Sequence, residues 1–291
     1  MECQHNVKSR GGSFEEGNRR FRTEFVRLII TPYDGKQDAA QLVKPNFQHA
    51  QPTAVKRTAL KERVKHEANG DLYLDGVPMV DQGRKGYCVN ATVERVMRYY
   101  GLDIDQNELA KAANTLTEGG TSPEGMCKAL KKLGGQLSLV VRELKSFDLR
   151  DFFKETDSYN KLAKREKREM IPVPQSGWIP VGEIYQRMDP GILREVRLRK
   201  GNEKTKFVAD ITDLIEKGAP ALWSVTLGMV TETPDLPQAR GGHMRLIIGY
   251  NKKTSEVIYT DSWGAGHEFK RMPLDDAFFI TDGLYSIMPG S

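Results

Sequence analysis

The sequence predicts an α+β domain, and three observations predict it. An apolar helix opens the folded region, alternating strand patterns dominate the last third, and no internal repeat of fixed period is present, which argues against a solenoid. Early helices and late antiparallel strands place a helical lobe beside a sheet or partial barrel, with a cleft between the lobes. A chain of 291 residues can bury a substantial core and accommodates one elaborated domain, or one domain with an extension.

Taken in order, residues 1–66 read as a basic N-terminal extension or linker of charged and turn-forming stretches. One apolar island at 25–30 has the pattern of a strand. The main domain is expected over 67–291, beginning where Asn69-Gly70 and Asp75-Gly76 bracket a short strand. From Cys88 onward, Val89, Val93, Val96, Met97 and Tyr100 repeat at helical spacing, and Gly101 supplies the stop. Cys88 therefore stands at a helix start. Two more helices are predicted at about 106–113 and 123–133, the second introduced by Thr121-Ser122-Pro123, and a strand follows at 136–141.

The stretch at about 144–206 is densely charged and interrupted by Pro172, Pro174, Gly177, Pro180 and Pro190. It reads as a charged helical insertion or lid, largely exposed and without a core of its own. Beyond it come a helix at 207–217 and strands at 221–226, 243–250, 257–261, 269–272 and 284–287.

Composition narrows the class. Hydrophobic residues at 38% and charged residues at 29% fit an ordinary folded chain and exclude a disordered or fibrous one. No run of about 18 apolar residues occurs, so no membrane span is expected. Residues 1–10 lack the apolar stretch of a secretion signal, which leaves the compartment open, a secreted or periplasmic one included.

The net charge of +5 comes entirely from the leader, which shows neither interleaved aromatics nor a zinc-finger or RNA-recognition signature, so nucleic acid is not an expected partner. Three cysteines, Cys3, Cys88 and Cys127, are too few for a disulfide framework, and an odd count leaves a thiol unpaired. His66-Glu67 and His267-Glu268 lack a second histidine at helical spacing, and no metal or other cofactor is called for.

Two clusters carry candidate chemistry. In the first, Cys88 ends the loop Gln82-Gly83-Arg84-Lys85-Gly86-Tyr87 and begins the helix. The positive end of a helix favours thiolate, and a partnered histidine can lower a cysteine pKa to roughly 3.5–7.5. Gln82 offers an amide donor which, with the Cys88 backbone N–H, suits a developing oxyanion.

In the second cluster, Gly241-Gly242-His243 opens one strand and Asp261-Ser262-Trp263-Gly264 follows the next. Adjacent antiparallel strands bring His243 and Asp261 together, so that the carboxylate fixes the imidazole tautomer and the other ring nitrogen faces Cys88. Gly83, Gly86, Tyr87, Gly242, Arg245 and Trp263 are candidates to line a substrate cleft; Arg245 also suits a structural ion pair, and Trp263 a shield over the histidine.

These residues resemble the papain-like cysteine peptidases, which carry a glutamine, a helix-start cysteine, a late histidine, and Asn or Asp before Ser-Trp-Gly. The branch that processes double-glycine leader peptides is the most similar, given Gln82-Gly83, Gly86-Tyr87-Cys88, Tyr99-Tyr100-Gly101 and Asp261. The resemblance covers about 71–288. It implies a two-lobed papain-like fold, peptide or protein substrates, and hydrolysis through a thioester, with Cys88 as nucleophile, His243 as acid–base, Asp261 as orienter and Gln82 at the oxyanion. The Cys-Gly-Ser-Cys-Trp signature of lysosomal-type members is absent, as is the P-loop of the transporter relatives. Transglutaminase-like acyl transfer and a catalytically silent binding module are the alternatives the residues leave open.

Overall fold

The computed structural model describes residues 55–83, 86–104, 139–174 and 179–290, two short strands near the N-terminus, and a few isolated residues between. The chain divides into two compact units, Met1–Ala50 and Gln51–Ser291. In the first, β1 (Ser13–Glu16) and β2 (Arg19–Arg22) pair as an antiparallel hairpin. The strand predicted at 25–30, Cys3, Cys127, and nearly all of the helices predicted at 106–113 and 123–133 lie outside the described residues.

The second unit is built on one mixed-length antiparallel sheet. Its strands are β3 (Val64–His66), β4 (Asp71–Leu74), β5 (Leu139–Lys145), β6 (Ala221–Leu227), β7 (Gly241–Asn251), β8 (Glu256–Thr260), β9 (Lys270–Pro273) and β10 (Thr281–Pro289). They run in the order β3-β4-β7-β6-β10-β5, and β7 also pairs β8, which pairs β9. The folded unit starts ahead of the expected position 67. Leu60, in the short helix α1 (Arg57–Leu60), is fully buried, Val55 N–H donates to Tyr100 O, and β3 pairs β4, so residues 55–66 belong to the sheet unit and not to the leader.

Because strand side chains alternate, the sheet feeds two cores. Leu222, Met244, Leu246 and Ile258 point to one face, where α2 (Cys88–Tyr99) supplies Val89, Val93, Val96 and Met97. Trp223, Val225, Ile247 and Tyr259 point to the other. That second face is covered by α3 (Leu149–Arg165), α4 (Val181–Arg187), α5 (Pro190–Leu198), α6 (Gly201–Glu216) and α7 (Leu274–Ile280).

The charged stretch at 144–206 is therefore corrected from a coreless lid to a packed layer. Most of its charges lie on the outer sides of the helices, Glu155 and Arg197 being buried exceptions, while Phe152, Tyr159, Leu162, Ile192, Leu193 and Val196 recur at helical spacing and are buried. Two of the prolines that broke the pattern, Pro180 and Pro190, fall at helix starts: Asp189 caps α5 by accepting from the Gly191 and Ile192 amides, with Pro190 as the first helical residue. Asp148 caps α3 in the same way. No helix among the described residues is long and apolar enough to cross a membrane.

Candidate active site

Helix α2 is more buried than its apolar stripe implied. Besides the valines, Thr92 and Arg95 are inaccessible, and the row Cys88, Thr92, Arg95, Tyr99 forms a second inward face. Thr92 Oγ1 donates to Met244 O at 3.1 Å, which fixes the helix against the start of β7. Cys88, half-buried, accepts a hydrogen bond from the Met244 backbone, one residue past His243. The described chemistry-bearing cysteine thus lies against the strand that carries the histidine.

Pairing of β7 with β8 ends at Leu246↔Thr260. His243 lies beyond that end on β7, and Asp261 is the first residue past β8, so the two side chains turn toward each other where the ladder stops. His243 Nε2 and Asp261 Oδ1 are 3.2 Å apart. Nδ1 of the same ring is buried and has no hydrogen-bond partner among the described residues. Trp263 stacks flat on the imidazole, with centroids 4.0 Å apart and planes within 5°, and closes one face of the histidine–aspartate pair to water.

Gln82 is tied to the same turn by two bonds. Its backbone N–H donates to Ser262 O at 2.8 Å, and Ser262 Oγ donates to Gln82 Oε1 at 2.8 Å. With Oε1 occupied as an acceptor, the amide Nε2 is the end that can donate, and no bond is made by it among the described residues. Gly83 and Gly86 are exposed, Gly83 with φ +65°, and Tyr87 is half-buried. Gly242 is likewise exposed at the start of β7.

Arg245 does not line a cleft: it is completely buried, and this corrects its place among the cleft candidates. Its Nη2 donates to Glu232 at 3.0 Å and its Nε lies 2.7 Å from Asp261 Oδ1. Lys270 Nζ reaches Asp261 Oδ2 at 3.0 Å and Glu232 Oε2 at 3.3 Å. Two anions and two cations thus balance in a dry cluster beside His243, and protonating the imidazole would add an uncompensated buried charge.

The titration directions follow from this packing. Burial works to raise the Asp261 carboxyl, but the bond from His243 and the charges of Arg245 and Lys270 outweigh it and leave the carboxyl well below the usual range. Burial, reinforced by Arg245, lowers the His243 imidazole, with Asp261 and Glu232 opposing. Burial pushes the Cys88 thiol up, while the amides of Met244, Val89 and Cys88 itself pull it down by less. The helix-start amides favour thiolate at Cys88, but desolvation of the sulfur is the larger effect and works toward the neutral thiol.

Sequence reasoning missed Arg95, Glu232, Lys270 and Ser262. Arg95 joins the nucleophile helix to the aspartate: it donates to Asp261 O at 2.7 Å, Thr260 Oγ1 at 2.6 Å and Pro78 O at 2.7 Å. Burial lowers its pKa to about 10, with Asp261 opposing. A signal was present, since Arg95 sits seven residues after Cys88, two turns along the same helix. Glu232 and Lys270 gave none, because neither their spacing nor their surroundings in the chain set them apart from surface charges.

Helix α2 lies on one face of an antiparallel sheet, with the Cys88 thiol at the histidine-bearing strand, in an α+β arrangement. The model of the Peptidase_C39 like family matches residues 180–286. That stretch holds His243 and Asp261 and begins well after Cys88. No curated protein matches the chain.

Among solved structures, the peptidase domain of Streptococcus ComA, a bi-functional ABC transporter involved in a quorum sensing pathway, is 13% identical, with a TM-score of 0.36 over 74% of this chain and 100% of that one. Xylellain, a cysteine protease from Xylella fastidiosa, is 12% identical, with a TM-score of 0.42 over 82% of this chain and 91% of that one. Neither superposition is close enough to carry a residue assignment.

Proposed function

We propose that the chain is a cysteine peptidase that cleaves a peptide or protein substrate through a thioester. The observation that supports this most is the His243 ring, which meets Asp261 through Nε2 and keeps Nδ1 buried and unpartnered on the strand that also binds the Cys88 sulfur. A buried ring nitrogen without a partner is costly, and a thiol proton to be accepted there gives it a use.

In this reading His243 Nδ1 takes the Cys88 proton as the sulfur attacks the scissile carbonyl. The oxyanion is met by Gln82 Nε2 and the Cys88 backbone N–H, contacts whose loss costs roughly 3–4 kcal/mol in the transition state. Collapse expels the amine, which leaves with the proton held by His243, and the acyl group remains on sulfur. Water then attacks the thioester, with His243 as base, and releases the acid and the thiol. Asp261 holds the tautomer in which Nε2 carries the hydrogen and Nδ1 can accept.

Incubation of the full chain with a peptide library, with and without added amines, followed by mass spectrometry, tests the reaction. Hydrolysis products that vanish in Cys88→Ala and in His243→Ala are expected, together with labelling of Cys88 in preference to Cys127 by a thiol-directed peptidyl electrophile. Equal labelling of the two cysteines, or products unchanged in Cys88→Ala, removes the reading; amine adducts in place of acids turn it into an acyl transferase.

A further inference from the structure

A cavity of about 500 Å³ opens along the sheet edge at which β7 begins. Gly242 pairs Thr226, Thr281 pairs Val225, and Lys145 pairs Leu284, so the start of β7, the end of β6, the start of β10 and the end of β5 share this edge. Gly242, Thr226, Asp282 and Lys145 form one side of the cavity; Phe152, Tyr185 and Phe207, from α3, α4 and α6, form the other. Gly242, which lines the cavity, directly precedes His243 on β7.

The charges around it are not equivalent. Arg197 is satisfied by Glu155 at 3.0 Å and by Phe279 O at 2.6 Å, and Lys200 by Glu155 at 2.9 Å. Lys206 pairs with Asp210 at 2.5 Å, and Lys145 Nζ donates to Thr281 O at 3.3 Å. Asp282 differs: Oδ2 accepts from Thr226 Oγ1 at 2.6 Å, while Oδ1 stands 3.7 Å from Arg197 without a hydrogen bond, and the side chain is 26% exposed in the wall of the cavity. A carboxylate oxygen this deep and this poorly matched is a place for a cation. The aromatic walls suit the alkyl stem such a cation would bring, as Lys145 Nζ already shows by lying 5.4 Å over the Phe278 ring.

We propose that this cavity is a subsite for a basic side chain of the substrate, lysine or arginine, with Asp282 as the residue that selects it; the assignment rests on the peptidase reading above. Strands lie about 4.8 Å apart, so Asp282, two strands from Gly242, is roughly 10 Å away. An extended peptide covers about 3.3 Å per residue, which puts the selected side chain within about three residues of the scissile bond.

The test uses full-length protein carrying Cys88→Ala, titrated calorimetrically with blocked tetrapeptide amides in which one position is arginine or norleucine. At one position the arginine peptide should bind at least about 10-fold tighter, and adding Asp282→Asn should erase that ratio. Gly182→Leu is the second variant: a Cβ at Gly182, on the cavity wall, meets nothing within 4 Å, so the larger side chain fills the cavity without backbone conflict and should lower the ratio too.

A ratio unchanged in both variants overturns the proposal. So does agmatine binding as tightly as the arginine peptide, which would make the cavity a site for free small cations, and so does tighter binding of a glutamate peptide. Binding is read here without cleavage, so an intact, Asp282-dependent ratio in a protein whose Cys88 ignores electrophiles supports the basic-side-chain assignment while removing the peptidase reading.

Discussion

Two buried ionic clusters stand on the same side of the sheet, and they are finished differently. In the first, Glu155 receives Arg197, Lys200 and the Tyr185 hydroxyl, and every hydrogen-bonding atom of the group is engaged. In the second, around Asp261, the Nδ1 atoms of His243 and His267 and the Nη1 of Arg245 have no hydrogen-bond partner among the described residues. Native interiors satisfy most buried polar atoms, so a concentration of orphans marks a place selected for something other than stability. The Glu155 cluster holds helices α3, α4 and α5 together; the Asp261 cluster packs an imidazole against a carboxylate and leaves neighbouring polar atoms without bonds among the described residues.

The largest effect that separates the clusters is expected from Asp261→Asn. Papain-like enzymes tolerate asparagine at the position this residue resembles, so the hydrogen bond to His243 alone does not require a carboxylate. Here Asp261 also neutralises Arg245 and Lys270, and asparagine would leave the dry cluster one positive charge in excess. Peptidase kcat/KM should fall by about 10²–10⁴-fold, the scale of losing an oriented acid–base group. Steady-state assays on the most rapidly cleaved library peptide check this, and activity within threefold of the parent would assign the cluster a structural role like that of Glu155.

Glu155→Gln gives the converse. It leaves Arg197 and Lys200 facing a neutral amide in the interior, at a cost of about 3–5 kcal/mol in denaturant unfolding. The pH dependence separates charge from packing. Burial works to raise the Glu155 carboxyl, but Arg197 and Lys200 outweigh it and hold the carboxyl at about 2, below its ordinary 4.5. The unfolded chain therefore binds the proton more readily, and the stability is present above pH 4.5 and is lost as pH falls toward 2. The variant should lack that part of the acid slope; an unchanged slope would mean that the carboxylate contributes no charge-dependent stability.

The contrast also explains what could be read from the chain alone. Cys88, His243, Asp261 and Gln82 were legible because each sits next to a glycine, a helix start or a strand end, where local pattern departs from a plain core. The sheet strands from 221 onward were legible because they are short apolar runs bounded by turn residues, although both of their faces are buried. The packing of α3–α5 was not, since charged residues there are as numerous as apolar ones and the core-facing positions are diluted to one in three or four. Nor were Glu232 and Lys270: their partners are 9–38 residues away, and an ion pair leaves no trace in local periodicity.

The smallest effect concerns the state of the sulfur before substrate arrives. If the neutral cluster around Asp261 keeps His243 uncharged and burial keeps Cys88 as thiol, the rate of Cys88 alkylation by iodoacetamide should climb through a midpoint above that of an ordinary cysteine. The sign follows from the direction of each shift: a raised thiol pKa keeps the proton to higher pH, and a lowered imidazole pKa removes the cation that would otherwise stabilise thiolate. Peptide cleavage, in contrast, should remain active near neutrality, since it needs His243 only as a neutral acceptor. An alkylation midpoint well below that of free cysteine would instead place a thiolate–imidazolium pair in the resting protein. Asp261 would then dominate Arg245 and Lys270 in setting the charge of the ring.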